Sequence, residues 1–116
     1  MKLHWLAASI FFSMFAISSA TAAQDSVGID FLKNGNAKFA KGDYDGAIAD
    51  FDHAITLDQN YTDAFNNRGL AKKHKGDLVG ALTDYDHAIA LSPSCTDAFN
   101  NRGNAKLSKR DYDGAI

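Results

Sequence analysis

Thr62-Asp63-Ala64-Phe65-Asn66-Asn67-Arg68-Gly69 returns without a change as Thr96-Asp97-Ala98-Phe99-Asn100-Asn101-Arg102-Gly103, 34 residues later. The same offset links Gly35 to Gly69 and Gly103, Phe31 to Phe65 and Phe99, and Ala37 to Ala71 and Ala105. It links Ala47 to Ala81 and Ala115, and carries Asp52-His53-Ala54-Ile55 onto Asp86-His87-Ala88-Ile89. Agreement at one fixed distance over so much of the chain marks a structural repeat, in which each unit covers the apolar face of the next.

Within each period the apolar residues recur at three- and four-residue spacings, which is helical. In the second unit Phe65, Gly69, Ala71 and Lys72 share one face of a first helix over about 63–75. Gly76-Asp77 breaks it, and a second helix over about 78–91 presents Leu78, Ala81, Leu82, Tyr85, Ala88, Ile89 and Leu91. Pro93 stops that helix, and Thr96 and Asp97 supply capping oxygens for the next one. Two antiparallel helices approach closely only where side chains are small, so Gly69 is expected against Ala81, flanked by Phe65 and Tyr85.

These residues resemble the tetratricopeptide repeat (TPR) family. Phe65, Gly69 and Ala71 match its first-helix pattern, Gly42-Asp43-Tyr44 its turn, and Ala81, Tyr85, Ala88 and Pro93 its second helix. The resemblance implies an all-α superhelical solenoid of about two and a half hairpins, with units at 28–61, 62–95 and an incomplete 96–116. There are departures. Gln59 replaces a proline, Arg110 the turn glycine, and Arg68 and Arg102 a usual leucine. Gly46, Gly80 and Gly114 fall early in second helices, where glycine costs about 1 kcal/mol against alanine. With the third unit incomplete, the helix through Lys109 is expected to cap the array and Asp111–Ile116 to fray. The alternatives are a fragment of a longer array, or homo-oligomers formed through the open C-terminal end at Tyr112, Ala115 and Ile116.

The first residues read as an address. Lys2 precedes an uncharged apolar run from Trp5 to Ile17, and Ala20 and Ala22 give the small-x-small pattern of a cleavage site. The run is too short to span a bilayer, which needs roughly 20 residues. A signal peptide over 1–23 and a TPR domain over 24–116 are therefore expected, as in an exported bacterial-type protein, periplasmic or secreted, with no membrane contact after cleavage. The net charge is −2 and all 14 acidic residues are aspartates. A mildly acidic chain without a basic run argues against nucleic acid and anionic membranes as partners.

The TPR resemblance implies that first helices line a concave groove. On this sequence the groove candidates are Asn36 and Phe39, then Asn66, Asn67, Leu70, Lys73 and His74, then Asn100, Asn101, Asn104 and Leu107. Asn67 and Asn101 would form a ladder of primary amides, which both donate and accept and so suit an extended peptide backbone. The function implied is a scaffold or adaptor that holds a peptide or protein segment. Some co-chaperone members of the family clamp a C-terminal carboxylate with two asparagines and several cations. The corresponding residues here are Leu32, Asn36, Asn67, Asp97 and Asn101, so the asparagines match, the cations do not, and that ligand is not expected.

No catalytic pattern emerges: there is no phosphate loop, nucleophile elbow or paired-cysteine metal motif, and no cofactor is implied. Asp52-His53 and Asp86-His87 are adjacent on a helix and point about 100° apart, so a solvated face is expected in place of a metal site. Cys95 is the single cysteine, and nothing pairs it with His74 as a dyad.

Overall fold

The computed structural model describes residues 25–114. The expected leader, Ala115, Ile116 and the side chain of Tyr112 lie outside the described residues. Five helices follow one another without a strand among the described residues: α1 (25–40), α2 (Tyr44–Leu57), α3 (Thr62–His74), α4 (Leu78–Leu91) and α5 (Thr96–Gly114). α1–α2 and α3–α4 are helical hairpins. α5 lies against α4 and also touches α3, so consecutive first helices are neighbours.

The turns inside the two hairpins are alike for a local reason. Gly42 and Gly76 have φ of 81° and 91°, a region that side chains disfavour. Gly42 N–H donates to Phe39 C=O and Asp43 N–H to Lys38 C=O, both at 2.9 Å, which closes the first helix with a Schellman motif. Gly76 and Asp77 repeat this on Lys73 and Lys72. Asp43 and Asp77 then cap the second helices by accepting from the N–H of Gly46 and Gly80. A Cβ on either glycine would fall within 2.2 Å of the capping carboxylate, so the glycine cost is offset by the cap it permits.

The third unit lacks this turn. Arg110 stands where glycine would take positive φ, and α5 runs on through it to Gly114. The helix thus continues past Asp111, where fraying is expected to begin, as far as Gly114. The continuing helix satisfies the backbone at 110 without the strain of a left-handed arginine. The expected capping is corrected. α3 starts at Thr62 with Tyr61 as its cap and no side-chain cap bond, and α5 likewise starts at Thr96, so threonine and aspartate here open the helix and do not precede it. Gln59 in place of proline leaves the loop unchanged: Asp58 (φ −141°, ψ 101°) and Ser92 (φ −140°, ψ 90°) share one extended conformation.

The core is built from small residues around two large rings. Ala47, Ala54, Ala64, Ala71, Ala81, Ala88, Ala98 and Ala105 are fully buried with Phe51 and Tyr85. A Cβ on Gly35 would sit 2.5 Å from the Phe51 ring, and one on Gly69 would sit 2.7 Å from the Tyr85 ring. The close crossing expected at Gly69 and Ala81 is therefore present. The buried Tyr85 hydroxyl has no hydrogen-bond partner, whereas its counterpart Phe51 brings no such group. Burial, with Asp84 nearby, pushes the Tyr85 phenol up to about 12. Unfolding returns it to an ordinary phenol, so the unfolded chain ionises first and stability falls as pH rises from 10 towards 12. Tyr85→Phe is expected to leave stability at pH 7 equal or higher by about 1 kcal/mol, because it removes an unsatisfied group. It should also flatten that alkaline loss, as read from urea melts at pH 7 and pH 11.

Candidate functional site

The groove candidates divide into three groups. The first is a set of amides that bridge successive first helices. Asn67 Nδ2 donates to Asn36 Oδ1 at 2.9 Å, joining α3 to α1. Asn101 Nδ2 donates to Asn66 Oδ1 at 3.1 Å, joining α5 to α3. The ladder is therefore a pair of cross-helix links, and each amide retains donor or acceptor capacity beyond its one bond. Asn100 and Asn104 are exposed on α5.

The second group, Phe39 and exposed His74, joins a ring cluster. Phe39 is part-buried against the core. It meets Tyr44 and His74 edge-on, with centroids 5.3 Å away in each case, and His74 stacks on Tyr44 at 5.0 Å. These rings join the first hairpin to the end of α3. His74 thus sits with Tyr44, while Cys95 packs near Phe65, Ala88 and Ala98, so the two do not form a dyad. The third group, Leu70, Lys73 and Leu107, is partly or largely exposed. Lys73 borders a depression of about 350 Å³ with Gly76, Leu78 and Ser108.

Arg68, one of the departures from the family pattern, organises the stack. Arg68 directs Nε and Nη2 to the two oxygens of Asp84, at 2.9 and 2.6 Å, and Nη1 to Asp52 at 2.8 Å. Lys72 reaches the same Asp84 at 3.1 Å, and the Asp84 side chain is 1% exposed. The Asp84 hydrogen bond raises the Arg68 guanidinium further above its already high range, so it stays charged. In the first unit Lys38 lies 2.9 Å from buried Asp50, although Oδ2 receives no well-aligned hydrogen bond. His53 stacks on Phe31 at 4.8 Å and His87 on Phe65 at 5.1 Å. Both histidines and their neighbouring aspartates stay exposed, as expected of a solvated face, while the rings stack on the first helices and the aspartates pair with Arg68 and Arg102. No group of metal-ligating side chains gathers among the described residues. The sequence carries a signal for the arginine bridge: an aspartate lies 16 residues to either side of Arg68.

Residues 35–76 match the family model described as TPR repeat. The second TPR of Spaghetti (RPAP3), bound to an HSP90 peptide SRMEEVD, superposes with a TM-score of 0.76. It is 27% identical over 80% of this chain and 85% of that one.

The fold is a TPR-type solenoid.

The first TPR of Spaghetti (RPAP3), bound to the same peptide, gives a TM-score of 0.73 at 26% identity over 78% of this chain and 74% of that one. The second TPR domain of human RPAP3, in complex with the HSP70 peptide SGPTIEEVD, gives 0.67 at 25% identity, over 84% and 88%. No curated protein matches the sequence.

Proposed function

We propose that this chain is a non-catalytic protein-interaction module that holds an extended peptide segment along its first helices, α1, α3 and α5. The observation that carries this reading is the amide bridge set, Asn36–Asn67 and Asn66–Asn101, which aligns hydrogen-bonding groups across three successive helices. The TPR-type neighbours with bound peptides support it at the level of a protein or peptide partner. The acidic C-terminal peptides of those neighbours are not the proposed ligand. Leu32 packs against the Phe51 core, and Asp97 is an exposed carboxylate that repels another. The leader-like Met1–Ala23 supports an exported, periplasmic or secreted setting.

The test is a fluorescence-anisotropy screen of the chain against an array of neutral and basic peptides. The best binder is then measured on Asn67→Ala/Asn101→Ala. Affinity is expected to fall about fivefold or more, since each lost hydrogen bond is worth roughly 1 kcal/mol. The thermal midpoint should move little, because one bridge is exposed and the other only part-buried. Unchanged affinity would refute the amide ladder as the binding element.

A further inference from the structure

One place in the array is filled in the first unit and open in the second. In the first unit the rings of Phe39, Tyr44 and His74 pack together beside the Gly42 turn, where the end of α1, the start of α2 and the end of α3 meet. The period of 34 carries Phe39, Gly42, Tyr44 and His74 onto Lys73, Gly76, Leu78 and Ser108. Those same residues line the depression of about 350 Å³.

The depression is the ring cluster with its rings taken away. Phe39 is replaced by a flexible ammonium stem, Tyr44 by an aliphatic side chain and His74 by a hydroxyl. A clasp is lost as well. Lys75, next to His74, pairs with Asp45, next to Tyr44. The equivalent of Asp45 is Val79, which is 64% exposed, and Lys109 turns to Asp113 of its own helix. The walls come from α3, α4 and α5, and the three corresponding helices of the first unit close the site by themselves. The opening is therefore a property of the side chains.

The depression continues the amide-lined face. Lys73 and Ser108 lie about two helical turns beyond Asn66 and Asn101, the amides that join α3 to α5. Its chemistry suits an aromatic ring. Leu78 supplies an apolar wall. Among the described residues Lys73 has no ion-pair partner, whereas Lys72 and Lys75 are paired with Asp84 and Asp45, so the Lys73 ammonium is available to lie over a ring face. Ser108 Oγ donates to Asn104 C=O at 3.0 Å and keeps its lone pairs for an incoming donor. The volume is at the small end for ligand pockets, which suits one side chain.

We infer that this depression seats a tyrosine side chain of the peptide held along α1, α3 and α5. The ring takes the volume that Phe39 and His74 fill in the first unit, under the Lys73 ammonium, and its phenol donates to Ser108. The inference rests on the peptide-holding reading of those helices and names the side chain that anchors the segment.

The probe is N-acetyl-tyrosine amide, titrated into the full chain and followed by proton–nitrogen correlation spectra. Saturable shifts at Lys73, Gly76, Leu78 and Ser108 are expected, with half-saturation at about 1 mM. The phenylalanine amide should bind about fivefold more weakly, because the bond to Ser108 is lost, and Ser108→Ala should erase that preference. The decisive variant rebuilds the first unit. Lys73→Phe/Leu78→Tyr/Ser108→His should fill the site and abolish the shifts with the helical circular dichroism intact, since the same rings pack in the same setting at Phe39, Tyr44 and His74. Asn67→Ala/Asn101→Ala should leave the tyrosine amide bound as before. Peptide capture that survives this last pair of changes would refute the amide ladder and leave the tyrosine seat standing. Absence of shifts in the wild-type chain would refute the seat and leave the ladder standing. Equal binding of the tyrosine and leucine amides, or full binding to the ring-filled variant, would also overturn the seat.

Discussion

Arg68→Ala is expected to destabilise the protein by about 3–5 kcal/mol, as measured by urea unfolding at pH 7. The loss comes from what stays behind rather than from the contact removed. Asp84 is buried almost completely, and its two oxygens are held by the Arg68 fork. Without the fork the carboxylate keeps only Lys72, at 3.1 Å, which places the effect towards the lower end of the range. Removing the charge together with its partner should restore most of the stability, because a buried ion pair exchanged for apolar groups of similar volume is often neutral. The check is a double-mutant cycle of Arg68→Leu, Asp84→Leu and the two combined. The combined variant should lie within about 1.5 kcal/mol of wild type, while Arg68→Leu alone lies well below it. Additive losses would mean that Arg68 and Asp84 are not coupled and that each stabilises the fold through other contacts.

One substitution made at equivalent glycines should give opposite signs. Gly69→Ala places a Cβ 2.7 Å from the Tyr85 ring and 3.2 Å from the Ala81 carbonyl oxygen. Tyr85 is fully buried and the carbonyl belongs to the α4 backbone, so neither gives way easily. A cost of about 1–3 kcal/mol is expected. Gly103→Ala meets no atom and lies inside α5, so it should stabilise by about 0.5–1 kcal/mol through helix propensity. Thermal melts of the two variants measure the contrast. Loss of stability in both would show that the Gly103 site is closed in solution.

The period of 34 made much of this molecule readable in advance. Helix boundaries in the second unit, the glycine turns and the close approach at Gly69 all follow from positions that agree between units. What escaped the reading follows from the same logic. The amide bridges join residues 31 and 35 apart, so they connect non-equivalent positions and no fixed period reveals them. Nothing in the pattern singles out Asp84, because a lone aspartate on a helix is usually solvated; its burial depends on cations supplied by α3. Phe39 and His74 read as groove residues, yet Tyr44 at the neighbouring hairpin turn gathers them into a ring cluster. Arg110 was noticed as a departure from the turn glycine. That the helix would run on through it, rather than turn poorly, is decided by the absence of any residue able to reverse the chain there.

The arginine bridge also bears on how the array comes apart. A single guanidinium on α3 holds one aspartate from the first hairpin and one from the second. Neither hairpin can open without stripping a partner from that group, so local fluctuations in α2, α3 and α4 share one barrier. The final turns of α5 lie beyond the reach of such a bridge and carry only the Lys109–Asp113 pair within the helix itself. The first two hairpins thus behave as one cooperative block, although their repeats are alike in sequence.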